Sequence, residues 1–168
     1  MKLLVVSDSH SLTSELVQIR EHWEGKVDEM IHCGDSQLAP DDQSLKGYHV
    51  VRGNCDFYKD FKEDLVIHVG KYTIFTTHGH LYDCKMSLQN MYYKAQEVGA
   101  SIVLFGHSHV RGVEEIDNIF FLNPGSIRQP RMFREKTYAI LEEDNQEIIA
   151  TFYDLDHEIV EQCKFKKN

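Results

Sequence analysis

Residues 2–10, KLLVVSDSH, contain the pattern that decides the fold. The apolar run Leu3–Val6 is too short for an ordinary helix, and its residues favour a buried strand. The run ends at Ser7, and Asp8 and His10 follow at once. A buried strand that delivers a carboxylate and an imidazole to its carboxyl end is typical of a ligand site at the edge of an α/β sheet.

The same arrangement recurs at four more predicted strands: Glu29–Cys33, Tyr48–Arg52, Lys71–Thr77 and Ser101–Phe105. Each ends in a glycine-associated polar segment: Gly34-Asp35, Gly53-Asn54-Cys55-Asp56, His78-Gly79-His80 and Gly106-His107-Ser108-His109. Glycine lets the backbone turn tightly, so the adjacent side chains can converge. Five strand ends that all carry Asp, Asn or His predict one shared site, although no single member is persuasive.

Helical spacing separates some of these strands. One predicted helix has Leu12, Leu16, Ile19 and Trp23 on one face, and a second has Leu88, Met91, Tyr92, Ala95 and Val98, with Gly99 as its C-terminal stop. The C-terminal third predicts a second, largely antiparallel sheet packed on the first, with strands Val110–Ile116, Ile119–Leu122, Thr137–Glu142 and Glu147–Tyr153. The last dozen residues, ending Lys164-Phe165-Lys166-Lys167-Asn168, are predicted to be a solvated tail.

Length and composition limit the protein class. The 168 residues predict a single domain, residues 1–168, and the net charge of −9 disfavours a protein that grips long nucleic acid. No segment approaches the roughly 18 consecutive apolar residues of a membrane span. The four scattered cysteines form no CxxC pair, so reduced thiols and a cytoplasmic location are expected.

In order, the five strand-end motifs resemble the signature of the calcineurin-like metallophosphoesterase superfamily. The short chain, Gly53-Asn54-Cys55-Asp56 and Asn123-Pro124-Gly125-Ser126 resemble its compact YfcE-like phosphodiesterase branch. The resemblance spans about residues 1–130. It implies an α/β fold, a four-layer αββα sandwich of two mixed β-sheets flanked by helices. It also implies two divalent metal ions, with Mn²⁺ the first expectation and Ni²⁺, Zn²⁺, Fe²⁺ or Mg²⁺ as alternatives.

The resemblance further implies how the ligands are divided. One ion would be held by Asp8, His10, Asp35 and His109, and the other by Asp35, Asn54, His78 and His107, with Asp35 bridging. Two such ions carry four positive charges against the two negative charges of the carboxylates, so the centre would attract phosphate despite the acidic surface. The expected mechanism is in-line attack on phosphorus by a hydroxide that bridges the metals.

The expected catalytic set comprises Asp35, Asn54, Cys55, Asp56 and His80. Many relatives carry His directly after the motif Asn, where it assists the leaving group, but this chain has Cys55 there. A thiol is a poor general acid near neutral pH, so Asp56 and His80 are candidates for proton transfer, and esters with good leaving groups should be preferred. A small buried Cys55 without a chemical role is the competing interpretation. Asn54, Arg128 and Arg131 are candidate substrate contacts.

The favoured function is hydrolysis of small phosphodiesters, with a nucleotide-like substrate as the expected partner. A phosphomonoesterase or protein phosphatase is one alternative. Another is a non-catalytic metal-binding scaffold like the retromer subunit of similar fold. A nuclease for long DNA or RNA is disfavoured because no basic stripe is evident beside the site. No membrane partner is expected, and Met91-Tyr92-Tyr93 is a candidate interface for a homo-oligomer.

Overall fold

Two mixed β-sheets pack face to face in the structure, a computed structural model that describes residues 1–166. The first sheet contains, in spatial order, β11 (Ile159–Lys166), β10 (Glu147–Tyr153), β9 (Tyr138–Asp144), β1 (Lys2–Val6), β2 (Glu29–His32) and β3 (Tyr48–Val50). The second contains β4 (Asp64–Val69), β5 (Tyr72–Thr77), β6 (Ile102–Leu104), β8 (Ile119–Asn123) and β7 (Gly112–Ile116). The parallel strands are β1-β2-β3 in one sheet and β5-β6-β8 in the other.

The apolar run of β1 is buried on both faces of its sheet. Leu3 and Val5 point between the two sheets, where they pack with residues of the second sheet such as Ile74. Leu4 and Val6 point to the opposite face. A central strand that is covered on both sides needs apolar residues at every position, which explains the unbroken run in the sequence.

One helix covers the outer face of each sheet. Helix α1 (Ser14–Trp23) buries Leu16, Ile19 and Trp23 against the first sheet, and helix α2 (Gln89–Val98) buries Met91 and Ala95 against the second. The predicted αββα sandwich is therefore confirmed. Neither helix, nor any other in the part of the chain described, has the length and apolarity to cross a lipid bilayer.

The predicted interface segment Met91-Tyr92-Tyr93 is divided between core and surface. Met91 is completely buried beneath the second sheet, whereas the side chain of Tyr93 is 59% exposed. Helical geometry turns residues that are adjacent in sequence to different faces. Met91 is therefore a core residue and cannot contribute to a docking surface.

The C-terminal strands do not form the separate antiparallel sheet that was predicted. Strands β7 and β8 extend the second sheet, because β8 pairs in parallel with β6, while β9 pairs antiparallel with β1 and brings β10 and β11 into the first sheet. Both sheets are mixed as a result. The local pattern showed that these segments are strands, but only long-range pairing determines which sheet receives them.

Two edge strands were not predicted. Strand β4 forms a hairpin with β5, and β11 pairs along its whole length with β10, so the prediction of a solvated tail is wrong up to Lys166. Both strands alternate between more and less exposed positions. Half of the residues of β11 are charged or amide residues, which resembles a tail, whereas β4 is mostly apolar and was simply missed. Lys167 and Asn168 lie outside the described residues.

The carboxyl ends of the parallel strands in both sheets lie at one edge of the sandwich. Contacts between the loops that follow these strands join the two sheets there. The backbone N–H of His107, after β6, donates to Asp8 Oδ2, after β1, at 3.0 Å. The edges of the two sheets therefore form one surface.

Candidate metal centre

This shared edge brings together side chains from five loops. His78 Nε2, after β5, lies 3.2 Å from Asp35 Oδ2 and 3.1 Å from Asn54 Oδ1, which follow β2 and β3. Asp8 Oδ1, after β1, lies 3.0 Å from His109 Nε2, beyond β6. Residues up to about 100 positions apart in the chain thus meet in one site.

Three groups of side chains at this edge have ligand atoms within 4.8 Å of one another: Asp8, His10 and His109; Asp8, Asp35 and His78; and His10, Asp35 and Cys55. Asp35 joins the His10 side of the site to the His78 side. Among the described residues, His107 belongs to none of these groups, but its ring lies 5.1 Å from that of His78. The structure therefore places His107 beside the cluster.

The imidazoles are held with one nitrogen directed inward. His78 Nδ1 lies 2.7 Å from the carbonyl oxygen of Cys33, and His109 Nδ1 lies 2.7 Å from that of Gln129. A carbonyl oxygen only accepts, so each Nδ1 donates its proton and the neutral ring presents a lone pair on Nε2. His10 Nδ1 is similarly 2.7 Å from Gln37 Oε1. Outer contacts of this kind orient metal-binding histidines.

Several acceptor atoms face one another without a donor between them. The Nε2 atoms of His10 and His109 are 3.3 Å apart, and the buried Asp8 Oδ1 lies 3.0 Å from His109 Nε2 and accepts no hydrogen bond from a backbone or hydroxyl donor within residues 1–166. Such an arrangement is unfavourable unless a cation lies between the lone pairs. Carboxylate and amide oxygens combined with imidazole nitrogens suit first-row divalent ions. The donor set therefore fits a metal centre.

The close approach of carboxylates and imidazoles also shifts the pKa values at the centre. Burial alone would raise the pKa of Asp8 and Asp35, but the neighbouring imidazoles outweigh burial and hold both pKa values below the usual range. Burial alone would lower the pKa of His78, but Asp35 and Asp8 raise it, and Asp8 raises the pKa of His109. Protons on these two rings supply positive charge that a bound metal would otherwise provide.

The backbone of the site is strained. Five of the seven predicted ligands have positive φ: Asp8 (53°), His10 (42°), Asp35 (55°), His107 (65°) and His109 (59°). Non-glycine residues rarely adopt this left-handed region, and each such residue costs on the order of 1 kcal/mol or more. The left-handed turns direct the side chains at the ends of the strands toward one point, which extended chains would not do.

Two glycines permit the close approach of loops. A Cβ atom on Gly53 would collide with the Asp35 carboxylate, and one on Gly106 would collide with Ser7 Oγ. Neither glycine has a positive φ, so the requirement here is space rather than a left-handed turn. The glycines beside the predicted ligands thus let neighbouring loops pack against the carboxylates.

Asp56 joins neighbouring loops through hydrogen bonds to its carboxylate. Its carboxylate is buried and accepts hydrogen bonds from the backbone N–H groups of Asp35 (2.9 Å), Gly53 (2.7 Å) and Gln37 (2.7 Å). Both oxygens are directed at backbone amides. This geometry favours a positioning role for Asp56 over the predicted share in proton transfer.

Other positioning residues were not identified from the sequence. His32 is fully buried, accepts from Gly34 N–H at Nδ1 (3.1 Å) and therefore donates from Nε2 to Ser9 Oγ (2.8 Å); burial lowers its pKa to about 4. Ser126 Oγ donates to the carbonyl oxygen of Asp8 at 2.8 Å. The segment Asn123-Pro124-Gly125-Ser126 was the only local signal for this contact.

Cys55 and His80 lie at the mouth of the site. Cys55 is exposed, so it is not the small buried residue of the competing interpretation, and its N–H donates to Asp35 Oδ1 at 2.7 Å. Partial burial and the charge of Asp35 raise the pKa of its thiol to about 11. The ring of His80 lies 5.4 Å from that of His78, and burial followed by the charge of His78 lowers the pKa of His80.

Arg128 and Arg131, the predicted substrate contacts, lie beside the cluster in an exposed loop. Arg128 Nη1 donates to the carbonyl oxygen of His10 at 2.6 Å. The backbone N–H of Arg131 donates to the carbonyl oxygen of His109 at 2.9 Å. Both arginines are thus attached to segments that carry candidate metal ligands.

Residues 1–146 match the family described as the calcineurin-like phosphoesterase superfamily domain. The chain belongs to the calcineurin-like phosphoesterase superfamily. Its curated relatives include the probable metallophosphoesterase YsnB of Bacillus subtilis, which is 48% identical over 92% of this chain and 91% of YsnB. A crystal structure of a predicted phosphoesterase from Streptococcus pneumoniae superposes with a TM-score of 0.95 and 41% identity, covering 99% of this chain and 97% of that one.

More distant similarities include a phosphodiesterase and a Vps29 protein. The phosphodiesterase YfcE of Escherichia coli is 30% identical over 60% of this chain and 55% of YfcE. Wild-type Vps29 of Entamoeba histolytica, in a crystal structure with Zn²⁺, has a TM-score of 0.77 and 22% identity with full coverage of both chains, which shows a shared fold. As a calcineurin-like phosphoesterase, the chain is a metal-dependent phosphoric ester hydrolase, and the clustered residues are its candidate metal ligands.

Proton competition should make metal binding depend on pH. Because the pKa values of His78 and His109 are raised above the ordinary 6.5, both rings retain protons at a pH where free imidazole has lost them. A divalent ion must displace those protons, so we expect affinity for Mn²⁺ to rise with pH through and above 6.5 and then to level off. Calorimetry in buffers of different ionisation enthalpy should detect proton release.

The variant His68→Gln provides a control, because His68 lies on the edge strand β4, away from the candidate ligands. This substitution should leave the number of protons released on Mn²⁺ binding unchanged. Binding without proton release, and with the same affinity from pH 6 to pH 8, would contradict this interpretation of the site.

Proposed function

We propose that the protein is a dinuclear metal-dependent hydrolase of small phosphodiesters, with Mn²⁺ as the preferred ion. The position of Asp35 carries the proposal, because its carboxylate lies in a cluster with His10 on one side and in a cluster with Asp8 and His78 on the other. A carboxylate shared between two ligand groups is suited to bridge two ions.

The proposed division of ligands follows the two sides of Asp35. One ion would be held by Asp8, His10, Asp35 and His109, and the other by Asp35, Asn54, His78 and His107. Burial and the charge of His78 lower the pKa of His107 to about 4, so its imidazole is neutral near pH 7 and available as a ligand. When bound, two divalent ions activate water and neutralise charge on the phosphoryl oxygens.

The surrounding residues prepare the site for this chemistry. The carbonyl groups of Cys33 and Gln129 fix the rings of His78 and His109, and Asp56 fixes the loop that carries Asp35. The side chain of Asn54 lies beside His78 on the open side of the cluster, where it can also contact a phosphoryl oxygen. Rigid placement of ligands lowers the reorganisation that catalysis requires.

The small-diester assignment rests on the name of YfcE, a phosphodiesterase, and on Cys55. A thiol with a pKa of about 11 is a weak proton donor at neutral pH, which favours substrates whose leaving group departs without assistance. The four cysteines of the described chain are all free, which supports a reducing compartment such as the cytoplasm.

Removal of the shared carboxylate should affect both ions. We expect Asp35→Asn to weaken the binding of two Mn²⁺ ions together, whereas His109→Ala should weaken mainly one, each by at least tenfold. Metal titration followed by elemental analysis measures the stoichiometry. Two ions retained at unchanged affinity by Asp35→Asn would refute the bridging assignment.

Substrate class can be tested on chromogenic esters. With Mn²⁺ bound, we expect the protein to hydrolyse bis(p-nitrophenyl) phosphate with a higher kcat/KM than p-nitrophenyl phosphate, and Asp35→Asn should abolish both activities. Faster hydrolysis of the monoester would favour a phosphomonoesterase. A metal-loaded sample inert to a broad phosphoester panel would favour the scaffold alternative, with which the full-length fold likeness to Vps29 is compatible.

Leaving-group dependence tests the role proposed for position 55. Across aryl diesters of increasing phenol pKa, we expect the wild-type rate to fall steeply, because its thiol gives little protonation of the leaving oxygen. Cys55→His should raise the rate on the poorest leaving groups, by about tenfold or more, and flatten the dependence. Cys55→Ser serves as the control without an imidazole. Equal rates across the series for the wild type would contradict the proposed absence of an efficient acid.

A further inference from the structure

A short basic segment runs beside the metal centre of this acidic protein. Residues 128–136, RQPRMFREK, contain four basic residues and one acidic residue, although the whole chain has a net charge of −9. We name residues 128–136 the basic strap. All of its residues except Pro130 are exposed. The sequence shows this concentration of positive charge, but only the fold places the strap beside the candidate ligands.

The strap is attached to the centre at its N-terminal half. Arg128 Nη1 donates to the carbonyl oxygen of His10, and the N–H of Arg131 donates to the carbonyl oxygen of His109. The carbonyl oxygen of Gln129 in turn accepts from His109 Nδ1. These bonds fix the start of the strap relative to two candidate metal ligands, so the Arg131 side chain begins next to the site.

Arg111 fastens the C-terminal half. Its guanidinium carbon lies 3.8 Å from the ring centroid of Phe133, and its Nη1 and Nε atoms form ion pairs with Glu135 (3.2 Å) and Glu161 (3.0 Å). We call these contacts of Arg111 the clamp. The side chain of Arg111 is only 9% exposed, so the clamp is well shielded from solvent. The strap is thus held at both ends, which reduces the entropy cost of using it to bind a ligand.

The clamp also leaves the strap's positive charge uncompensated. Glu135, its only acidic residue, is paired with Arg111 outside the strap, and Arg131, Arg134 and Lys136 form no ion pair within residues 1–166. Three exposed cations therefore lie within a stretch of six residues, on a segment that is attached beside the proposed metal centre. Repulsion among them is relieved when an anion binds.

We infer that the basic strap is a second anion subsite, which binds a phosphate group of the substrate other than the one that is hydrolysed. This inference rests on the proposed function and specifies its substrate class as a phosphodiester that carries at least one additional phosphate, such as a phosphorylated dinucleotide. Arg131 and Arg134 are the principal contacts, because guanidinium groups bind phosphate oxygens in pairs. Arg111 is a positioning residue that holds the strap.

The substrate test compares two diesters that differ by one remote phosphate. With Mn²⁺ bound, we expect the wild type to have a KM about fivefold or more lower for the 5′-phosphorylated dinucleotide pdApdA than for dApdA. The double variant Arg131→Gln/Arg134→Gln should lose this preference, because the KM for pdApdA should rise by a larger factor than the KM for dApdA or for bis(p-nitrophenyl) phosphate. An equal loss on all three substrates would overturn the inference, because the arginines would then act on the scissile phosphate.

Lys26→Gln is the matched control. Lys26 is an exposed cation between the end of α1 and the start of β2, at the opposite edge of the first sheet, and its removal should leave the preference for pdApdA intact. A similar loss of preference in Lys26→Gln would show that net charge alone is responsible and would overturn the subsite.

A binding measurement separates this inference from the proposed function. Calorimetry on the metal-loaded full chain measures the Kd values of inorganic phosphate and tripolyphosphate. We expect the double variant to reduce the Kd of phosphate divided by the Kd of tripolyphosphate about fivefold. This result would support the subsite even if no phosphoester were hydrolysed, in which case the proposed activity alone would fail. An unchanged ratio would overturn the subsite. Tighter binding of a polyglutamate peptide than of tripolyphosphate to the wild type would also overturn it, because that result would point to a protein partner.

Discussion

The convergence of electron-pair donors on one small volume is the constraint on which the rest of the structure depends. Carboxylates after β1 and β2, an amide after β3 and imidazoles after β5 and β6 meet there with their acceptor atoms facing one another. Without a cation such a centre would repel itself, since buried acceptors need donors or positive charge. Raised histidine pKa values and lowered aspartate pKa values are the response of the metal-free chain to this requirement.

The fold holds this unfavourable arrangement through contacts outside the centre. Left-handed backbone at Asp8 and Asp35 is sustained by neighbours such as Ser126, which donates to the Asp8 carbonyl group, and Asp56, which accepts from the Asp35 amide. The cores beneath and above the two sheets keep the strand ends in place. Strain at the site is thus balanced by a well-packed sandwich and a network of satisfied backbone groups.

Charge is distributed unevenly over the molecule. The net charge of −9 disfavours nonspecific contact with nucleic acid, whereas the basic strap lies beside the candidate metal ligands at one edge of the sandwich. Arg111 links the strap to β11, the strand at the other end of the chain from β1. The segment first expected to be a tail therefore contributes, through Glu161, to the surroundings of the site.

Local sequence determined the strands that carry the site, because an apolar run buried on both faces and a polar residue at its end leave a clear pattern, as in Leu3–His10. It also determined the two covering helices and, through the ordered motifs, the family. It did not determine which sheet receives β8 and β9, nor that β4 and β11 are edge strands, because strand pairing is long-range. Only the tertiary structure showed that Asp56 binds backbone amides, that Cys55 is exposed and that the strap is clamped by Arg111. The physical reason is the same in each case: spacing along a chain fixes which face a residue occupies, but its chemical environment depends on distant segments that folding brings beside it.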